Sequence, residues 1–158
     1  MNWEAVGAIG ETLGAAGVIV TLAYLAIQLK QNTRALRSNF WQAIQEAESR
    51  LDHLFSSDPA IGVLWVRAGN GGLESLSSDA ERFQFMTLAK QLIDLFQTHH
   101  YQYERGMIEP EMWETWITQF REDVVSHKGL REVIALRRQH FRSSFRDFVD
   151  QNLEQADA

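Results

Sequence analysis

The chain contains no cysteine, which excludes disulfides, thiolate metal sites and a cysteine nucleophile. That absence does not fix the compartment. Proline occurs only twice, at Pro59 and Pro110, and both positions read as helix starts. Positive charge is scarce: 15 Lys and Arg against 21 Asp and Glu leave a net charge of -6 and a pI near 5.3. Such a balance gives no overall attraction for a polyanion, so no nucleic-acid partner is expected. No segment alternates apolar and polar residues with period two, so no strand is expected. The motifs HExxH, GxxxxGK[ST] and GxSxG are all missing, and the glycines of "GNGG" (Gly69–Gly72) are not followed by Lys-Ser/Thr. What remains is an ordinary folded composition, 45% hydrophobic and 23% charged in 158 residues, enough for one helical domain.

The apolar content is concentrated at the start. Between Glu11 and Lys30 run eighteen uncharged residues, Thr12 to Leu29, with Thr12, Thr21 and Gln28 as the polar members. As a helix this is about 27 Å, close to the thickness of a bilayer's hydrocarbon layer. Trp3 and Tyr24 stand loosely where interfacial aromatics would lie. A cleaved signal would open on positive charge, whereas "MNWE" carries only an acid. A helix buried in a soluble bundle would keep a polar stripe, and Leu13 to Ile27 has none. The expectation is a single span over residues 1–29, followed by a helical domain over 30–153 and a frayed tail over 154–158. Lys30, Arg34 and Arg37 follow the span and nothing basic precedes it. The positive-inside rule therefore puts the N-terminus outside and the C-terminal domain in the cytoplasm.

Within the run Gly10 and Gly14 form a GxxxG, while Gly7/Gly14 and Gly10/Gly17 repeat at a spacing of seven. Ala5, Ala8, Ala15 and Ala16 add further small positions. In lipid, small residues let helix backbones approach closely, so Gly7, Gly10, Gly14 and Gly17 are read as a helix–helix packing face of a homo-oligomer. Glu11 admits two placements. If the span begins at Thr12 it lies at the outer interface. If the span begins at Ala5 it lies within the membrane, where several copies would ring an axis with carboxylates.

After the run the pattern becomes amphipathic. Leu36, Phe40, Ile44, Ala47, Leu51 and Leu54 share one helical face, with no Gly or Pro to separate it from the span. "SSDP" (Ser56–Pro59) ends it, and a short helix to about Ala68 follows, then a loop over "GNGG". Ser78 and Glu81 make a capping box opening a long helix to about Arg105, with Phe85, Leu88, Leu92, Leu95 and Phe96 inward and Gly106 as the stop. Pro110 opens a helix carrying Trp113, Trp116, Ile117, Phe120 and Val124. A last helix from Leu130 would bury Ile134, Phe141, Phe145 and Phe148. The fold class is all-α: an N-terminal transmembrane helix continuing into, or followed by, a bundle of about four further helices.

The start "GAIGETLGAAGVIVTLAYLAIQLKQNTRALR", with "ERFQF", "YERGMIEPEMWETW" and "FRSSFRDFVDQ", resembles a group of small bacterial membrane-anchored proteins of uncharacterised activity. The resemblance covers nearly the whole chain. It implies a bacterial inner-membrane protein with an N-terminal membrane helix and a helical cytoplasmic body, and it implies no chemistry.

Catalytic and metal signals are sparse. A di-iron bundle needs Glu-x-x-His on two helices, and no Glu stands three residues before any of the five histidines. His100 and Glu104, one turn apart, could share a metal or a proton, but the set is short of ligands. No cofactor, metal or catalytic residue is assigned. Trp113 and Trp116, at helical spacing, read as core. Charge segregates: six acids lie between Glu104 and Asp123, and six basic residues between Lys128 and Arg146. The plain reading pairs these two segments with each other; the sharper one turns Arg138, Arg142 and Arg146, stacked on one face, toward anionic lipid or an acidic partner. Three functions follow. The first is a non-enzymatic anchor that oligomerises through its glycine face and presents an interaction domain to a protein partner. The second is an oligomeric ion-conducting pore lined near Glu11. The third is a membrane-tethered enzyme using His100 and Glu104.

Overall fold

The computed structural model describes residues 2–157, and for residues 3–6, 8, 9 and 12 the backbone alone. The side chains of Trp3, Ala5, Ala8 and Thr12, invoked above, therefore lie outside the described ones, as does Ala158 of the tail. The structure is all-α, with six helices: α1 (Trp3–Ser57), α2 (Pro59–Gly71), α3 (Asp79–Glu104), α4 (Pro110–Phe120), α5 (Lys128–Arg137) and α6 (Ser143–Asp157). There is no strand among the described residues. The chain divides into two compact units between Glu46 and Ala47.

The first unit is helix throughout from Trp3. No Gly or Pro interrupts the passage from the apolar run into the amphipathic segment, and α1 runs on through both. Every residue from Leu13 to Asn39 is exposed, Leu13 at 67% and Val20 at 68%. The apolar part has a mean hydropathy of 1.6 and none of it is buried. Its polar side chains turn back on the helix: the Thr21 hydroxyl donates to the Gly17 carbonyl at 2.8 Å, and the Gln28 amide donates to the Tyr24 hydroxyl at 2.5 Å. One apolar helix of this length, with these hydroxyl and amide groups satisfied internally, is compatible with a single-pass membrane anchor.

The second unit is the bundle. Asp58 caps α2 by accepting from the Ala60 N–H at 2.9 Å, with Pro59 in the first turn. The expected loop over Gly69–Gly72 is shorter than its glycines suggest, because α2 continues to Gly71. Gly72 ends it with φ +77°, a conformation that L side chains rarely adopt, and its N–H donates to the Ala68 carbonyl at 2.8 Å. Ser78 caps α3, accepting from the Glu81 N–H at 3.2 Å. The returning Glu81 carboxylate accepts from Ser77 at 2.7 Å, one residue before the bond a regular capping box would make.

Helix α4 loosens into a π turn at Arg121–Val125, where the Ser126 N–H donates to the Arg121 carbonyl at 3.0 Å. The expected last helix is in fact two. A 3₁₀ turn at Arg138–His140 and an extended Phe141 separate α5 from α6, giving five helices after α1 instead of about four. The break serves burial: Phe141 and Phe145 both enter the core and meet edge to face at 5.5 Å. That core centres on Phe85, Ala89, Ile93, Phe120, Leu130 and Phe145, all fully buried. Trp113 and Trp116 are buried as their spacing predicts.

Candidate functional site

The four glycines of the first unit fall within about 80° of arc at 100° per residue, so they share a face, with Glu11 at its edge. Side chains built on Gly7, Gly10, Gly14 or Gly17 would meet nothing within 4 Å. Glu11 is exposed.

In the bundle, His100 Nδ1 lies 3.8 Å from Glu104 Oε2. His100 is nevertheless a core residue, ringed by Trp113, Phe145 and Phe148 at 5.1–5.7 Å. Burial holds its pKa below the usual imidazole value, and Glu104 offsets this only in part. The Glu104 carboxylate also accepts from the Ser144 hydroxyl at 3.2 Å. Among the described residues no group of three or more His, Asp or Glu side chains is placed to hold a metal ion.

The expected basic face is not formed. Arg138 sits in the 3₁₀ turn and is paired with Asp150. Arg142 precedes α6 and lies over the Tyr101 ring, 4.2 Å from its centroid. Arg146 is half-buried on α6 itself. The break between α5 and α6 removes the helical register that would have stacked them. The plain reading, pairing with the preceding acidic segment, is corrected as well. Lys128 pairs with Glu74, Arg131 with Asp157 at 2.7 Å and Arg137 with Asp94 at 3.6 Å. The acids that take these charges come from outside Glu104–Asp123.

Folding instead assembles a cavity of about 390 Å³ that no local motif announces. The end of α1 contributes Glu48, Leu51, Asp52 and Phe55. Trp65 comes from α2; Leu92, Leu95, Phe96 and His99 come from α3. Gln119 on α4, Asp123 in the π turn and His127 before α5 complete the lining. All of it belongs to the second unit. Leu92 and Leu95, expected in the core, are half-buried and line this space. On α1 Ile44 is buried and Ala47 and Leu51 half-buried as expected, but at the end of the helix Leu54 is exposed and Phe55 instead meets Trp65 edge to face at 4.8 Å.

The electrostatics of the cavity are one-sided. Its lining holds three carboxylates and no lysine or arginine. Burial, then the neighbouring Asp52, raises the pKa of Glu48. Asp123, though more than a third exposed, is raised in the same way, first by lost solvation and then by Glu122. His99 is 1% exposed. Its imidazole stacks on Trp116, 3.8 Å between centroids and 13° from parallel. Neither of its ring nitrogens has a hydrogen-bond partner. Loss of solvation lowers its pKa to about 4, so the ring is neutral at pH 7.

His127 is oriented by the serine before it. The Ser126 hydroxyl donates to the Glu122 carbonyl, so toward His127 Nδ1, at 2.9 Å, Ser126 Oγ can only accept. Nδ1 then carries a proton, and in the neutral ring Nε2 is the acceptor.

No protein-family model, curated protein or solved structure matches this chain. The reading of function therefore rests on these residues.

Proposed function

We propose that this protein is a membrane-anchored, non-enzymatic helical protein of the bacterial inner membrane. Its first helix is the single span, and the bundle after Glu46 is presented on the cytoplasmic side to a protein partner. The observation that carries the reading is the full exposure of the apolar residues from Leu13 to Leu29. Eighteen uncharged residues of this hydropathy in water would cost far more than a folded domain's net stability, whereas a bilayer solvates them. The inward bonds of Thr21 and Gln28 support it further, since hydrocarbon offers such groups no other partner. Lys30, Arg34 and Arg37 favour the orientation with the N-terminus outside.

The finer part of the reading is a homo-oligomer packed through Gly7, Gly10, Gly14 and Gly17. What supports it is their shared face and the open space above each one. The absence of native cysteine makes topology directly measurable. In intact cells an impermeant maleimide should label an Asn2→Cys variant, and an Asn70→Cys variant only after lysis. Extraction of the protein by alkaline carbonate would refute the anchor, and the opposite labelling would refute the orientation. Gly10→Leu with Gly14→Leu should convert a cross-linkable oligomer in lipid into a monomer. A wild type that is already monomeric in lipid would overturn the packing face.

A further inference from the structure

We propose that the cavity of the bundle binds a small organic ammonium ion carrying an apolar or aromatic body. The charge of the lining selects the sign. Glu48, Asp52 and Asp123 face a space to which no basic side chain contributes, and low-dielectric walls strengthen their field on whatever enters. An anion would be repelled, and a neutral molecule would gain hydrogen bonds from the carboxylates but no charge–charge attraction.

The walls select the kind of cation. Phe55 and Trp65, whose rings meet at 4.8 Å, line the space together with Phe96. Aromatic faces attract an ammonium group and also bury the carbon skeleton attached to it. A bare metal ion would want converging carboxylates and imidazoles, and no such group of three exists among the described residues. The volume of about 390 Å³ lies in the range that small organic ligands occupy.

The polar atoms select a donor. With Nδ1 donating to Ser126, the neutral tautomer of His127 presents Nε2 as an acceptor. His99, buried and lining the same space, has two ring nitrogens without partners. One nitrogen of a neutral imidazole is always an acceptor, and an ammonium N–H is the donor such groups lack. Gln119 adds an amide that can do either.

The test uses the full chain in lipid nanodiscs and two probes of nearly equal shape, 2-phenylethylammonium and neutral 2-phenylethanol, titrated calorimetrically. The ammonium ion should bind at least tenfold more tightly than the alcohol. Glu48→Gln with Asp123→Asn should remove most of that preference while leaving the alcohol unchanged. Because partly buried carboxylates are being altered, Asp52→Asn on an exposed side chain serves as the second variant, with a severalfold loss expected for the ammonium alone. Equal binding of the two probes would overturn the proposal, as would no binding of the ammonium ion to the folded wild type. Calcium ion that binds alone and displaces the ammonium would overturn it in favour of a metal site.

Discussion

The imidazole of His99 lies flat against the indole of Trp116, 3.8 Å between ring centroids, with both ring nitrogens buried and unpartnered. This arrangement makes stability depend on pH with a definite sign. In the unfolded chain His99 takes up a proton near pH 6.5, but in the fold only near 4. Between those values the unfolded state binds more protons, so stability is full above about pH 6.5 and declines as pH falls toward 4. The integrated loss is roughly 3 kcal/mol at most. Glu48 and Asp123, whose pKa values are raised, gain protons earlier in the fold and oppose this decline. His99→Phe keeps a stacked ring and removes the titration. Its melting temperature relative to wild type should therefore rise steadily between pH 7.5 and 4.5, and a constant difference would show that His99 is not held neutral.

Gly129 and Ala68 set how closely α5 approaches α2. A methyl group at Gly129 would stand 2.2 Å from the Ala68 carbonyl oxygen, a backbone atom that cannot swing aside. Gly129→Ala should cost about 3 kcal/mol through forced separation of the helices. A drop in melting temperature on the order of 10 °C is expected for a domain of this size. Calorimetry of the variant decides it, and a shift under about 2 °C would mean that the helices part freely.

Glu132 ties the turn after α2 to α5. Its carboxylate accepts the Leu73 N–H at 2.6 Å, and Gly72 has no room for a side chain beside it, since a Cβ there would lie 2.7 Å from Glu132 Oε1. Glu132→Ala leaves a part-buried backbone donor without its partner, and a loss of about 1–2 kcal/mol is expected. Hydrogen exchange at Leu73 should quicken in that variant while Ile93 in the core stays protected. Equal acceleration at both would show global unfolding instead of a local release.

The proposed anchor responds to charge at its centre. Arginine near the middle of a span costs about 2.5–3.5 kcal/mol, so Ile19→Arg with Leu22→Arg should release much of the protein from carbonate-washed membranes. The bundle should keep its fold, because both residues are exposed and belong to the other unit. Undiminished membrane retention, measured by fractionation, would count against the span.

Several parts of this architecture were legible before any fold was known. The all-α class, the helix start at Pro59, the cap at Ser78 and the inward faces of Trp113 and Trp116 all follow from hydrogen bonds or periodicity within a few residues. Other expectations failed because partners distant in sequence decide them. "GNGG" reads as loop, yet two of its three glycines stay helical, each beside a close neighbour in the fold: Gly69 near His127 and Gly71 near Ser75. Arg138, Arg142 and Arg146 share a face on paper, but burial of both Phe141 and Phe145 breaks the helix that would align them.

The sequence by itself determined the long apolar helix and the amphipathic helices behind it, because hydropathy and local bonding need no knowledge of tertiary neighbours. Only the tertiary structure decided which acids meet which arginines, where α5 gives way to α6, and that Glu48, Trp65, His99, Asp123 and His127 line one space. Those residues come from separate elements with no common spacing. Packing alone brings them together, and it leaves the buried imidazole of His99 without a hydrogen-bond partner.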